Sequence, residues 1–301
     1  MTELRIRVPA TSANLGPGFD AFAVALPMLA EFDVRPARTW SVTVEGSGTD
    51  IPTGDDNLFV VAALAAAKAF GQTIGPLHVL QRSAIPLGRG FGSSAAAIVG
   101  GVVAANALAG EPLGRGALLR IAAEVEGHAD NVAAGLYGAF TVALPSADGP
   151  IAYRFPFPSA WRVCLFVPAV QLRTQEARAA LPQDVPRADA VFNLAHASAF
   201  VAAVLRADGA MLSLAMHDRL HQAARLRLVP ALAEIVTAAR GAGAFGAALS
   251  GAGPSVIAFA PVRLAPRVAA TMEEAATVAG TPGRGRVVRV RAAGAQVVRN
   301  Q

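Results

Sequence analysis

Cysteine and lysine are almost missing from this 301-residue chain. Cys164 stands alone, which excludes an intrachain disulfide, a cysteine-rich zinc site and a Cys-x-x-Cys redox pair. Lys68 is the single lysine and lies in an alanine run with no Gly-x-x-x-x-Gly-Lys around it. A Walker-type phosphate loop and the usual protein-kinase lysine motif are therefore both excluded. Aromatic residues make up 6% of the chain and charged residues 16%, against 53% hydrophobic. That apolar content excludes a disordered or fibrous protein, and the core has to be built mainly of Ala, Val and Leu. All but one of the 26 basic residues are arginine, and the net charge of +5 separates an enzyme for anionic substrates from a nucleic-acid binder only weakly. The start, Met-Thr-Glu-Leu-Arg-Ile-Arg-Val, has charges where a secretion signal needs an apolar stretch. The charge-free run 93–110, the candidate for a membrane span, opens from a Gly-rich loop and reads as a buried helix, so the expectation is a soluble cytoplasmic protein.

Apolar residues Leu4, Ile6 and Val8 alternate with Arg5 and Arg7, predicting a first strand that Pro9 ends, followed by a turn-rich segment to Asp20. A strand pair is expected over 34–45 and a helix from Leu58 to about Phe70 behind the caps Asp55-Asp56-Asn57. Further strands are expected at 77–81 and 138–144, with helices from Ser93 to about Ala109 and from about Gly114 to Glu126. Composition turns to Pro, Gly, Ser and Asp near 145–158, which divides the chain into domains at 1–155 and 156–301. The second half reads as a continuous apolar strand at 161–167, helices at 174–181, 187–206, 210–226, 230–241 and 266–279, and strands at 244–249, 255–259 and 286–291. Strands and helices mix without strict βαβ alternation, so the fold class is α+β.

The strongest local signal is Gly88-Arg89-Gly90-Phe91-Gly92-Ser93-Ser94. Glycines let a backbone turn its N–H groups inward, and a helix starting at Ser93 adds its positive end, which suits phosphate. The plainer reading is a tight turn ahead of a buried helix. With no lysine at hand, phosphate charge has to be met by backbone, arginine and metal, which calls for a carboxylate that can take Mg²⁺. Glu124 and Glu126 end the next helix, and only one of them need face inward. His128 reads as a structural histidine rather than a base, and Asp130 and Asn131 as caps of a short helix. Ser250-Gly251-Ala252-Gly253-Pro254 either packs on the first loop or touches phosphate. Arg178 and Arg225 are either surface charge or ligand contacts. His217 and His221, four apart on one expected helix, lack a third zinc ligand.

In order along the chain, Pro9-Ala10-Thr11-Ser12-Ala13-Asn14-Leu15-Gly16-Pro17-Gly18-Phe19-Asp20, Pro86 through Ala96 and Ser250 through Ser255 resemble the GHMP small-molecule kinases, and among them the homoserine kinase family. The first motif is the specific one. The match extends through 126–138, 174–182 and 218–230, leaving about the last forty residues uninformative. The resemblance implies a GHMP ATP-binding α+β domain followed by a ferredoxin-like domain, with the active site between them. It implies ATP and Mg²⁺ as cofactors and L-homoserine as substrate, phosphorylated on its side-chain hydroxyl on the route to threonine. It places the ATP phosphates on Pro86, Leu87, Gly88, Arg89, Gly90, Phe91, Gly92, Ser93, Ser94, Ala95 and Ala96, with Asn57 lining the adenine pocket. Ser94 and Glu126 become the metal ligands, and Asn14, Asp20, Asn131, Thr174, Arg178 and Arg225 hold the amino acid. Those types suit a zwitterion, a carboxylate for its ammonium and arginines for its carboxylate. Asn131 and Arg178 are the catalytic candidates. A neutral amide takes no proton at pH 7, so the expected mechanism is positioning and charge neutralisation without a dedicated base, with Asp130 next door as the rival candidate for a base.

Three places depart from the pattern: Phe91 stands where leucine is usual, Ala129 where proline often appears, and Ala223-Ala224 where Pro-Tyr does. The last makes Arg227 a neighbour that Arg225 can be confused with. Rival readings are a threonine or mevalonate kinase of the same superfamily, a catalytically silent metabolite sensor, and a nucleic-acid module using Arg284, Arg286, Arg289, Arg291 and Arg299. Two Trp and two Tyr offer little surface for stacking bases, so no nucleic-acid partner is expected. No membrane partner is expected either, and an apolar, lysine-poor chain suits a homodimer.

Overall fold

Leu4, Ile6 and Val8 are buried and Arg5 and Arg7 half-exposed, as alternation requires of a strand with one wet face. This is β1, Leu4–Asn14, in a computed structural model that describes residues 4–46 and 51–299. Pro9 does not end it. A register shift against β2 (Gly18–Pro36) between Pro9 and Thr11 carries the proline past the ladder, and pairing resumes as far as Asn14. The turn-rich segment thus shrinks to 15–17. The expected strand pair over 34–45 is also corrected. The strand β3 (Ser41–Gly46) runs parallel to β4 (Leu77–Ser83), which lies between it and β2.

Helix α1 (Leu58–Ala69) starts where Asn57 Oδ1 accepts the Phe59 N–H at 2.9 Å. Helices α2 (Ser93–Leu108) and α3 (Arg115–Glu126) follow their sequence signals, whereas α4 (Asp130–Tyr137) corrects its expected caps: its N-cap is Ala129 with no side-chain bond, and Asp130 and Asn131 are its first helical residues. The strand β5 (Phe140–Leu144) pairs with β2, and β6 (Ile151–Phe155) pairs with β5. The run 93–110 lies inside the molecule as α2.

Strand β7 (Trp161–Pro168) reads as a continuous apolar run because both its faces are covered. Val163 and Leu165 join the large core of the first half, whereas Cys164 and Phe166 face a second core. Helices α5 (Thr174–Ala179), α6 (Arg187–Arg206), α7 (Gly209–Ala215), α8 (Gln222–Leu226) and α9 (Ala231–Gly241) come next. The single helix expected over 210–226 is broken, because the Asp218 carboxylate takes the N–H groups of Leu220, His221 and Gln222 at 2.7–3.1 Å. Strands β8 (Gly246–Leu249) and β9 (Val256–Pro261), helix α10 (Ala265–Val278) and strand β10 (Gly283–Val288) complete a second sheet. Its spatial order is β10-β7-β9-β8, antiparallel throughout. With α9 and α10 packed on one face through the second core, this is the expected ferredoxin-like arrangement.

The chain then leaves β10 three residues earlier than expected and crosses back. Arg291 N–H bonds Ala25 O, and β11 (Gln296–Arg299) pairs with β1. A strand drawn with residues 156–301 thus joins the first sheet. The two sheets share a seam of phenylalanines: Phe140 and Phe22 meet Phe200 at 5.7 and 5.4 Å between centroids, and Phe200 meets Phe259 at 6.3 Å. By length and composition α6 could cross a membrane, with 22% of its apolar window buried. Its buried side, Asn193, Phe200, Ala203 and Val204, is packed into this fold.

Candidate active site

The turn between β1 and β2 brings Asn14 and Asp20 to one end of the sheet in left-handed backbone, φ +68° and +54°, which the short polar side chains of Asn and Asp tolerate best. Asn14 holds the turn from both ends of its amide. Its Nδ2 donates to Gly251 O at 2.8 Å and its Oδ1 accepts the Asp20 N–H at 3.0 Å.

The Gly-rich loop meets this turn and the loop at 250–255. Gly90 has φ +75°, and a Cβ there would collide with the Ser250 carbonyl oxygen. Gly92, at φ +63°, would collide with Thr11 Oγ1. Both positions therefore need glycine. Ser250 Oγ reaches Gly90 O at 2.7 Å and Ser12 Oγ at 2.8 Å, so the second small-residue loop packs against the first. Gly92 is the N-cap of α2, and no side chain caps it, which leaves the first amides of a 16-residue helix for an anion. Ser93 and Ser94 are thus not caps. Ser94 Oγ instead donates to Glu126 Oε1 at 2.6 Å. Glu124 points to solvent, while the Glu126 carboxylate is nearly buried and burial raises its pKa, partly offset by the Ser94 bond and the His128 charge.

Beside it, His128 Nδ1 lies 2.7 Å from Asp130 Oδ1. Burial of the ring pulls its pKa down, but the Asp130 bond and the charges of Asp130 and Glu126 raise it on balance. Asp130 Oδ1 also accepts the Asn131 N–H at 2.7 Å. Thr11 Oγ1 donates to Asn131 Oδ1 at 2.7 Å, which fixes the orientation of the amide. Opposite, Arg178 grips Asp20 through two bonds, 2.9 and 3.1 Å. Arg225 is buried, and Arg227 stays outside, bonded to Ala223 O. Arg225 is thereby separated from the neighbour it could be confused with.

One cleft of about 500 Å³ collects Asn14, Asp20, Asn131, Thr174, Arg178 and Arg225 together with Ser94, Glu126 and the glycines 88, 90 and 92. Phe91 turns its ring into the core, as its departure from leucine requires. Several expected ATP contacts do not line the cleft. Asn57 spends its amide on the α1 cap and on Pro52 O, and Arg89 fastens the loop to Pro168 O and Ala169 O at 2.8 Å each. Pro86 and Leu87 form the loop's approach, and Ala95 and Ala96 are buried in the first turn of α2. Reasoning from sequence missed Thr11 as a partner of Asn131 and His221 as a partner of Arg225. Only the motif Pro9–Asp20 carried a signal, for Thr11. Among the described residues no group of three or more His, Cys, Asp or Glu could hold a metal, and His217 and His221 lie in or beside the break between α7 and α8.

Residues 57–139 match the family model of the GHMP kinase N-terminal domain, and residues 200–277 that of the GHMP kinase C-terminal domain. A homoserine kinase of Thermus thermophilus is 44% identical over 256 residues, 85% of this chain and 86% of that one. One of Desulfitobacterium hafniense is 37% identical over 296 residues, 98% of this chain and 100% of that one. The crystal structure of a homoserine kinase from Cytophaga hutchinsonii superposes with a TM-score of 0.89 at 28% identity, covering 99% of this chain and 98% of the other. Shared across nearly the whole length, these likenesses place the chain in the homoserine kinase family of the GHMP kinases.

Proposed function

We propose that this chain transfers the γ-phosphoryl group of ATP to the side-chain hydroxyl of L-homoserine, giving O-phospho-L-homoserine for threonine biosynthesis. The observation that carries the reading is one cleft with an uncapped helix N-terminus at one side and Asp20, Arg178 and Arg225 at the other. A zwitterion fits that second set, its ammonium on Asp20 and its carboxylate on the arginines, exchanging into the Asp20–Arg178 pair. Mevalonate has no ammonium for Asp20.

The donor set suits Mg²⁺, a hard cation that takes one or two protein oxygens and completes its shell with phosphate and water. Ser94 Oγ and the Glu126 carboxylate, 2.6 Å apart, would hold it, and it would neutralise the phosphate charge. The part of the loop that lines the cleft, Gly88 and Gly90 to Ser94, cradles phosphates through backbone amides. Arg178 serves as a catalytic group by adding positive charge near the transferring group. Asn131 is a neutral amide whose oxygen is held by Thr11, and Asp130 is already committed to His128 and to the Asn131 N–H. Neither acts as a base. The hydroxyl oxygen forms its bond to phosphorus as the bond to the ADP oxygen breaks, and the proton leaves late to a phosphoryl oxygen.

An ADP-release assay with Mg·ATP against L-homoserine, L-threonine, L-serine and mevalonate tests this. Selective turnover of homoserine is expected. Turnover of threonine would reassign the pocket, and ATP binding without turnover would favour a sensor. The reading includes a cytoplasmic enzyme without nucleic-acid or membrane partners. It also includes a homodimer, for which the exposed Val191, Leu194 and Leu205 along α6 are the support, with light scattering as the check.

A further inference from the structure

Arg225 is an unusual cation for a protein interior. It is 2% exposed, and no carboxylate lies within 4 Å of it among the described residues. Two of its hydrogen bonds are long, 3.4 Å to Ala177 O and 3.4 Å to Gly251 O. The shortest runs from Nη1 to His221 Nδ1 at 3.1 Å. A guanidinium only donates, so His221 Nδ1 carries no proton. The proton sits on Nε2, which donates to Gly16 O at 2.8 Å. Both ring nitrogens are thus assigned by their partners. The ring itself is fully buried and stacks on Phe19 at 5.2 Å and 23°. The Arg225 guanidinium lies over the same Phe19 ring at 5.3 Å.

We propose that His221 is a positioning residue that holds Arg225 for the substrate carboxylate and ties it to the Gly16 turn. This rests on the reading that Arg225 binds the carboxylate of an amino acid. A carboxylate beside Arg225 would orient it equally well but would neutralise it. A neutral imidazole satisfies one N–H and leaves the whole positive charge for the ligand. Burial lowers the His221 pKa, against the charge of Asp218, whose Oδ1 is 3.8 Å from Nε2, and so favours the neutral ring. Gly16 lies between Asn14 and Asp20, so one side chain links the arginine of the second half to the turn that carries the other substrate groups of the first. Phe19 packs against both members of the pair, its ring stacked on His221 and lying under the Arg225 guanidinium.

The two bonds separate by substitution. His221→Asn keeps an oxygen acceptor where Nδ1 stands and loses the Gly16 bond. His221→Gln keeps a donor near the Nε2 position and loses the acceptor for Arg225. The expected result for His221→Gln is a KM for homoserine raised about tenfold or more, with the KM for ATP within about twofold, because the guanidinium loses its orienting bond. For His221→Asn the KM for homoserine stays within about threefold of the unsubstituted enzyme. Equal increases in both variants, tracking their loss of Tm, would mean a purely structural histidine and overturn the proposal. No increase in either would overturn it as well. Histidine ¹⁵N spectra of the unsubstituted protein give a check that needs no variant to fold: His221 is expected as the Nε2–H tautomer, and the other tautomer or a doubly protonated ring near neutral pH overturns the proposal. If the unsubstituted enzyme turned over no homoserine, the assigned substrate would fail, while the tautomer would still report on His221.

Discussion

Ser94 and Glu126 illustrate how single side chains are tuned by where the chain puts them. The glutamate ends α3 next to a glycine and is pressed into the cleft, so burial makes its proton harder to remove. A raised pKa means that the protonated form persists to higher pH than for an ordinary glutamate. The Mg²⁺ concentration for half-maximal rate is therefore expected to rise as pH falls, starting above the usual carboxylate range, in a metal titration at several pH values. Glu126→Gln should raise that concentration at least about tenfold at all pH values and abolish its pH dependence, as loss of a metal-site oxygen does. Asn131→Asp tests the missing base. A carboxylate there would face Thr11 Oγ1 and lie next to Asp130, and the expected rate is lower than for the unsubstituted enzyme. A large gain with a new acidic limb in the pH profile would mean that a base had been wanting.

Between elements, tight loops and strand ladders set the site. Gly92→Ala is expected to lower kcat/KM for ATP at least about tenfold, since the left-handed φ and the meeting with Thr11 both oppose a side chain. Steady-state kinetics with ATP varied would show it. On the outer face of the sheet, Asp33 of β2 takes Arg5 of β1 at 2.5 and 2.9 Å and Arg82 of β4 at 2.6 Å. The Arg5 hydrogen bond, more than the opposing burial, holds the Asp33 carboxyl below its ordinary pKa. A depressed folded pKa contributes stability above the unfolded pKa and loses it as pH falls through the folded value. Asp33→Asn should thus cost up to about 1 kcal/mol near neutral pH, and the difference should shrink progressively once the pH falls below the ordinary carboxylate range, by denaturant melts at a series of pH values from neutral into acid. Most of these elements were legible in sequence, because the 2 and 3.6 periods and the capping residues of β1, α1 and α3 depend on near neighbours. The failures were those of long range. Pro9 continues a strand because β2 shifts register there, and Asp218 breaks a helix that local propensity would continue.

For the molecule as a whole, the shared phenylalanine seam and the return of β11 to β1 make one cooperative body from two sheets. Phe259→Ala should cost about 3–5 kcal/mol and lower the melting of both halves together. Trp40 in the first half and Trp161 in the second offer two fluorescence probes for this, and separate transitions would sink the idea. Cys164 lies between β7 and the helices, fully buried, with its thiol pushed up to about 12 by burial. Its alkylation at pH 8 should therefore follow global unfolding and be negligible in the native protein.

By itself the amino-acid sequence determined the α+β class, the Gly-rich anion loop, the first motif and the kinds of residue a zwitterion and Mg²⁺ require, because these are written in neighbouring positions. Tertiary structure alone decided which of them meet. Asn57 turns out to cap a helix and Arg89 to fasten a loop, whereas Thr11 joins Asn131 across 120 positions and His221 joins Gly16 across 205. Hydrogen-bond partners that far apart leave no periodic trace in a sequence, since only the packing of the two sheets brings them within reach.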